Sequence, residues 1–124
     1  MRIVVADDDD VLRQLITLNL QAEGFEVFEA VDGGEALRQV VEHRPDVIVL
    51  DVMMPVYDGL AVLRTLKGEP TTAPIPVILL TARAAPDDIE QGWDAGADYY
   101  LTKPFRVEQL VTFVRTLDCV PQVR

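Results

Sequence analysis

The segment DVIVL, residues 46–50, decides which fold the chain can adopt. It is a short, almost continuous apolar run rich in Val and Ile, which is typical of a strand buried on both faces of a parallel sheet. Two further segments have the same character, RIVVA at residues 2–6 and PVILL at residues 76–80. Weaker patterns at residues 25–30 and 98–101 predict strands at the two edges of the sheet.

Helical patterns alternate with these strands. Apolar residues recur at intervals of three and four in five segments, most of which begin at Asp or Pro and end near Gly or Pro. The apolar positions are Leu12, Leu15, Ile16 and Leu20; Ala36, Leu37, Val40 and Val41; Leu60, Leu63 and Leu66; Ile89 and Trp93; and Val107, Leu110, Val111, Val114 and Leu117. The β-α order, repeated five times, predicts an α/β fold, a doubly wound (βα)5 three-layer sandwich around a five-stranded parallel sheet.

Composition limits the classes of function. The chain has 124 residues, of which 49% are hydrophobic and 26% charged, and this composition fits one globular domain. Its formal net charge of −10 argues against direct binding to nucleic acid or to a membrane surface, since both require basic patches. The start of the sequence lacks a signal-peptide pattern, and Cys119 has no second cysteine to pair with. We therefore expect a cytoplasmic protein.

Polar residues follow four of the predicted strands at the point where each strand ends. They are Asp7 and Asp8 after the first strand, Asp51 after the third, Thr81 after the fourth, and Thr102 and Lys103 after the fifth. The carboxyl ends of parallel strands meet at one edge of an open sheet, and ligands bind in the crevice there. If the first, third, fourth and fifth strands are neighbours, these side chains face a single crevice.

Three carboxylates, a hydroxyl and an ammonium in one crevice suit phosphoryl chemistry. Carboxylate oxygens and water are the ligands that Mg²⁺ or Mn²⁺ prefers. One divalent ion and Lys103 would balance the three negative charges, so without metal the carboxylates should have raised pKa values. Asp51 ends the most central predicted strand and is the best candidate for a nucleophile. Each residue also has a structural alternative: a helix cap for the aspartates after the first strand, a turn for Asp51 and Thr81, and a solvated side chain for Lys103. Taken singly, each of these alternatives is the more common one. For Asp9 and Asp10 we keep the interpretation of a helix start.

Four ordered motifs make the chain resemble the receiver domain of response regulators in bacterial two-component signalling. They are RIVVADDDD, PDVIVLDVMMPVYDGL, PVILLTARA and GADYYLTKPF, and the resemblance covers essentially the whole length. It implies a single receiver domain over residues 1–124 without an output domain. It also implies the flavodoxin-like fold of chemotaxis regulators, with strand order 2-1-3-4-5.

The resemblance assigns a role to each residue of the crevice. Asp51 becomes the phosphoacceptor, which receives its phosphoryl group from a sensor histidine kinase or a phosphotransfer protein. Asp8, Asp51 and the main-chain carbonyl of Met53 become Mg²⁺ ligands, and Asp7 binds the ion through water. Lys103 would pair with the phosphoryl group. The protein would then be a self-catalysed phosphoacceptor rather than an enzyme.

Further positions would transmit the change or shape the backbone. Thr81 would hydrogen-bond to the phosphoryl group. Tyr100 would be an aromatic switch that alters the face of the fourth helix, fifth strand and fifth helix toward a downstream output protein or domain. The Lys103–Pro104 peptide would be cis, Gly59 would supply a turn conformation, and His43 would be a solvated residue at the end of the second helix.

Some positions depart from the family pattern, and two alternatives stay open. Met53 and Arg83 do not suit the orientation of a hydrolytic water, so we expect a long-lived phosphoryl group. Ile89, Gln109 and Phe113 stand where charged partners of a common receiver dimer are expected, and they leave an apolar strip instead.

The alternatives are a phosphorylation-independent protein-binding module and, with less support, an Asp-nucleophile phosphatase, whose usual Asp-x-Asp-x-Thr run is absent.

Overall fold

A computed structural model of the chain describes residues 1–81 and 97–119. The strands are β1 Arg2–Ala6, β2 Glu26–Ala30, β3 Val47–Asp51, β4 Val77–Thr81 and β5 Tyr99–Thr102. The helices are α1 Asp10–Ala22, α2 Gly33–His43, α3 Gly59–Gly68 and a C-terminal helix, Val107–Cys119. The helix predicted around Ile89 and Trp93, and also Arg83, lie outside the described residues.

The five strands form one parallel sheet in the order β2-β1-β3-β4-β5. This order confirms the prediction. The predicted runs for β2, β3, β4 and β5 begin one residue earlier than the strands themselves, and β1 matches its prediction at both ends. Every residue of β3 and of β4 is buried, as the continuous apolar runs predict.

Strand alternation divides the interior into two cores. The first core, on the side of α2 and α3, takes Val4, Ile48, Leu50 and Leu79 from the sheet. The second core, on the side of α1 and the C-terminal helix, takes their strand neighbours Ile3, Val5, Val47, Val49, Ile78 and Leu80. Because strand side chains alternate between faces, an apolar run of five residues supplies both cores at once. The sheet is thus the middle layer of three.

Aspartates begin the first three helices. The side chain of Asp9 accepts hydrogen bonds from the amides of Val11 and Leu12, and Asp32 and Asp58 cap α2 and α3 in the same way. These carboxylates satisfy amide groups that the first helical turn leaves without partners. The helix-start interpretation is confirmed for both residues: Asp9 is the N-cap, and Asp10 is the first residue of α1.

Two details of the helices differ from the expectations. Leu15 is 46% exposed, because the buried stripe of α1 runs through Arg13, Ile16, Thr17 and Leu20 instead. His43 is half-buried and stacks on Phe28, with ring centroids 3.7 Å apart. The expectation that His43 is solvated was therefore wrong, since the edge strand β2 offers its ring an aromatic surface.

Candidate functional site

The acidic run after β1 separates into residues with different environments. Asp7 is fully buried, its amide donates to the Ala30 carbonyl at 3.1 Å, and its Oδ1 accepts the Asp9 amide at 2.9 Å. Asp8 is exposed at the mouth of the crevice. Local backbone contacts thus fix the first carboxylate and leave the second open to a ligand.

Asp51 is the last residue of the central strand β3 and is only 3% exposed. Its Oδ1 accepts a long hydrogen bond of 3.4 Å from the Met53 amide, while the Met53 side chain is 69% exposed. The amide of Val52 donates to the Leu80 carbonyl, so the sheet pairing continues one residue past the strand. Asp51 therefore stands on rigid backbone.

Gly59 is required by a close approach rather than by a turn conformation. A Cβ atom at this position would lie 2.2 Å from the Asp51 carbonyl oxygen and 2.8 Å from the Val52 Cα. Its φ is not in the left-handed region, and its amide donates to the Val52 carbonyl at 2.8 Å. The expected turn role was wrong: glycine lets the start of α3 rest directly on the backbone of the phosphoacceptor candidate.

Lys103 brings the carboxyl ends of three strands together. It follows β5, and its Nζ lies 3.3 Å from Asp7 Oδ2 and 3.4 Å from Asp51 Oδ1. The Lys103–Pro104 peptide is cis, as the resemblance implies. Thr81 ends the neighbouring strand β4, is 2% exposed, and pairs in register with the exposed Thr102. The predicted convergence in one crevice is present for the two buried carboxylates and the lysine.

Burial and neighbouring charges shift the pKa values of Asp51 and Lys103. Burial, followed by the negative charge of Asp7, raises the pKa of Asp51 to about 7, although Lys103 acts in the opposite direction. For Lys103, burial lowers the pKa, but the carboxylates of Asp51 and Asp7 together outweigh that effect and raise it. Lys103 therefore stays charged at neutral pH, while the Asp51 carboxyl group titrates near neutral pH.

Asp7, Asp8 and Asp51 can share a metal ion. Each offers a carboxylate oxygen, and these oxygens all lie within 4.8 Å of one another. An all-oxygen donor set beside open solvent fits Mg²⁺, which keeps several water ligands. The raised pKa of Asp51 fits as well, because a divalent cation would stabilise the charged carboxylate against both its burial and the repulsion of Asp7.

Tyr100 lies on the same face of the sheet as Thr81. It is in register with Leu79 on β4, and Thr81 is in register with Thr102, two residues further along β5. Since residues two apart on a strand share a face, Thr81 and Tyr100 are diagonal neighbours on adjacent strands. Tyr100 is half-buried against the first core, whereas Tyr99 points to the second core and stacks on Phe113.

Sequence reasoning missed Arg13, a buried arginine close to the acidic pair. Its guanidinium donates to the Asp7 carbonyl at 2.9 Å, to Asp10 Oδ1 at 2.7 Å and to Glu29 Oε1 at 3.0 Å. The available signal was its helical spacing with Ile16, Thr17 and Leu20, which places it on the buried stripe of α1.

Comparisons with known proteins agree with this fold. The family model described as response regulator receiver domain matches residues 3–115. Over 125 residues the chain is 44% identical to the DNA-binding dual master transcriptional regulator RpaA of Synechocystis, which covers 98% of this chain and 52% of that protein. It is 47% identical over 116 residues to the transcriptional regulatory protein PrrA of Mycobacterium tuberculosis, covering 94% of the chain and 49% of that protein.

Solved structures give the same result. The receiver domain of Francisella response regulator 1452 has a TM-score of 0.87 and 37% identity, and the match covers 94% of both chains. The chemotaxis response regulator CheY4 of Vibrio cholerae has a TM-score of 0.87 and 33% identity, covering 94% of this chain and 97% of that one.

The chain belongs to the response-regulator receiver family. It spans about half the length of the curated relatives it matches. Among residues 1–81 and 97–119, no helix is long and apolar enough to cross a membrane.

Proposed function

We propose that the protein is a phosphorylation-dependent signalling switch in which Asp51 accepts a phosphoryl group from a histidine kinase or a phosphotransfer protein. One observation carries the proposal: the Lys103 ammonium lies within 3.4 Å of both buried carboxylates, Asp7 and Asp51, where the strands end. The Lys103 ammonium can offset charge on a phosphoryl oxygen bound to Asp51, and a divalent ion held by the carboxylates would supply the remaining positive charge.

In the proposed reaction the Asp51 carboxylate attacks the phosphorus of a phosphohistidine. A P–O bond forms, the P–N bond breaks, and the imidazole leaves with the electron pair of that bond. Lys103 offsets charge on the phosphoryl oxygens, and the Thr81 hydroxyl donates to one of them. The low exposure of Asp51 supports this role, because it limits the access of water to the resulting acyl phosphate.

Mg²⁺ would be held by Asp8, Asp51 and the Met53 carbonyl, with Asp7 acting through water. When bound, it supplies positive charge that neutralises the phosphoryl oxygens during transfer. Asp7 has a second task in this scheme, since its Oδ2 also orients Lys103.

Tyr100 would transmit the change to the surface. When the Thr81 hydroxyl turns toward the phosphoryl group, space opens on the face that Thr81 shares with Tyr100, and the ring can move inward. The altered surface would include β5 and the C-terminal helix, on which a downstream output protein or domain would act. The names of RpaA and PrrA describe transcriptional regulators, so we propose a regulatory output of that kind.

Incubation with acetyl phosphate and Mg²⁺, followed by intact-mass measurement, tests the switch. We expect addition of one phosphate, which requires Mg²⁺ and is lost in Asp51→Asn. Asp58→Asn is the matched control, because Asp58 caps α3 and asparagine caps equally well. Absence of modification would favour a phosphorylation-independent binding module, and turnover of a phosphate ester would favour a phosphatase.

A second measurement separates phosphorylation from switching. Thr81→Ala should still accept phosphate at Asp51, but the change in the amide spectrum of β5 that accompanies phosphorylation should be much smaller. An unaltered spectral change in Thr81→Ala would contradict the proposed route through Tyr100.

A further inference from the structure

We infer that Arg13 is a positioning residue for the metal site, acting through the peptide bond between Asp7 and Asp8. The Arg13 guanidinium donates a buried hydrogen bond of 2.9 Å to the Asp7 carbonyl. That carbonyl belongs to the peptide group that leads directly into Asp8. A hydrogen bond to this carbonyl fixes the plane of the Asp7–Asp8 peptide group, and so restricts the orientation of the Asp8 side chain. This role rests on the metal binding proposed above.

The peptide backbone at Asp7 is held from several directions. The Asp7 amide donates to the Ala30 carbonyl of β2, and the Asp7 side chain accepts the Asp9 amide. Arg13 supplies the contact to the Asp7 carbonyl. Asp8 follows this backbone and is exposed, so the orientation of its carboxylate depends on how firmly the preceding peptide is held. When a group that hydrogen-bonds to a metal ligand and orients it is removed, metal affinity typically falls by about 10- to 100-fold.

Arg13 is itself fixed on both sides. Its side chain is 9% exposed, and its Nη2 and Nε bind Asp10 and Glu29 at 2.7 and 3.0 Å. Glu29 lies on β2, and its carbonyl accepts a hydrogen bond from Gln39 of α2. The planar guanidinium presents N–H groups in a rigid fork, which is why one side chain can bind three acceptors of different elements. A lysine has a single nitrogen and cannot reproduce this arrangement.

Charge and geometry predict opposite effects, which makes the inference testable. Removing a cation that contacts the Asp7 backbone should strengthen the binding of a divalent cation at the acidic pair by simple electrostatics. Loss of the fixed Asp7–Asp8 peptide should weaken it. Burial lowers the pKa of Arg13, but Asp10 and Glu29 together outweigh that effect and raise it. The guanidinium is therefore charged in both the metal-free and the metal-bound protein.

The experiment measures Mg²⁺ affinity by titration calorimetry in the intact chain and in Arg13→Met. We expect affinity to fall about tenfold or more in Arg13→Met. Arg13→Lys, which keeps the charge, should be weakened as well, and it serves if the methionine variant does not fold. Glu29→Gln keeps the contact with Asp7 and should bind Mg²⁺ within about twofold of the unaltered chain. Arg115→Met removes an ion pair with Glu23 far from the site and controls for general loss of stability.

A spectroscopic measurement separates positioning from simple stability. The amide nitrogen shift of Asp8 responds to hydrogen bonding at the Asp7 carbonyl, so it should change in Arg13→Met and Arg13→Lys but not in Arg115→Met. Unchanged or tighter Mg²⁺ binding in both Arg13 variants would overturn the inference. Failure of the unaltered chain to bind Mg²⁺ would overturn the proposed metal site instead.

Discussion

The Lys103 ammonium lies 3.4 Å from the Asp51 carboxylate, so the charge on Asp51, at the end of the central strand β3, depends on a side chain that follows the edge strand β5. In Lys103→Met, the pKa of Asp51 should rise above its value of about 7, because Lys103 is the group that lowers it. Phosphorylation by acetyl phosphate at neutral pH should then slow. A carboxyl-carbon NMR titration measures the pKa directly.

Lys67→Met is the matched control for that variant. Lys67 binds the Ala73 and Ile75 carbonyls and Asp98, away from the crevice. Its loss should lower stability without moving the Asp51 titration. An Asp51 pKa that is the same in Lys103→Met and in the unaltered chain would show that burial and Asp7 alone account for it.

The metal-free protein should lose stability as pH rises from about 4 to about 7. The pKa of Asp51 is raised from 3.8 when unfolded to about 7 when folded, so the folded state binds more protons in this window. Stability falls with rising pH wherever the folded state holds the extra proton, and it levels off above the folded pKa. Urea unfolding at several pH values measures this. In Asp51→Asn the decline across the window should be smaller, and an equal decline in both proteins would contradict the assignment.

Gly59→Ala should cost about 2–3 kcal/mol of unfolding free energy, since the new methyl group meets backbone rather than a flexible side chain. Because the nearest atom is the Asp51 carbonyl oxygen, the rate of phosphorylation should fall as well. Gly68→Ala is the control: it lies in the same helix, nothing stands within 4 Å of its added Cβ, and alanine is the better helix former. It should be neutral or stabilising by up to about 1 kcal/mol. Equal stability of the two variants would argue against the close approach.

Val56→Gly should stabilise the protein by about 1 kcal/mol, raising the melting temperature by roughly 3–5 °C. Val56 has a φ of 71°, a conformation that a β-branched residue adopts only under strain and that glycine adopts freely. The control, Val11→Gly, makes the same substitution at a 78% exposed position in the first turn of α1. It should cost about 0.5–1 kcal/mol. Destabilisation by both substitutions would show that Val56 is not strained.

The phosphoryl group should persist for minutes or longer. The Met53 side chain is apolar and 69% exposed, so it offers no hydrogen bond that could orient a water toward Asp51. In Met53→Asn, whose amide can orient water, dephosphorylation should be several times faster. Mass measurement after removal of the phosphodonor follows the decay, with Met53→Leu as an apolar control. Loss of phosphate from the unaltered chain within seconds would refute this expectation.

Strand positions could be predicted closely because short apolar runs have few alternatives. RIVVA and DVIVL are short and rich in Val and Ile, which favours strands of a sheet covered on both faces, and their strands begin within one residue of the prediction. Once the strand order was set, Asp7, Asp51 and Lys103 had to end at one edge. The convergence of charged groups therefore followed from topology.

Contacts between side chains from different elements were harder to predict. Arg13 looked like an ordinary charged residue in α1, since nothing in its neighbours shows that Glu29 and the Asp7 carbonyl lie against it. The role of Gly59 was misjudged for the same reason: its near neighbour is the Asp51 backbone, several residues earlier in the chain. Such contacts depend on how two loops pack in space, which local patterns do not encode.

The two partners of the Lys103–Asp51 ion pair belong to strands that we expect to unfold locally at different free-energy cost. Asp51 ends the fully buried central strand, whose amides should exchange with solvent only when the whole domain unfolds. Lys103 follows a half-buried edge strand with one neighbour, which can open locally. In the proposed switch, a phosphoryl group on Asp51 would be attached to the slowest-exchanging part of the molecule, and its effect would reach the surface through the edge strand β5, which opens at a lower free-energy cost.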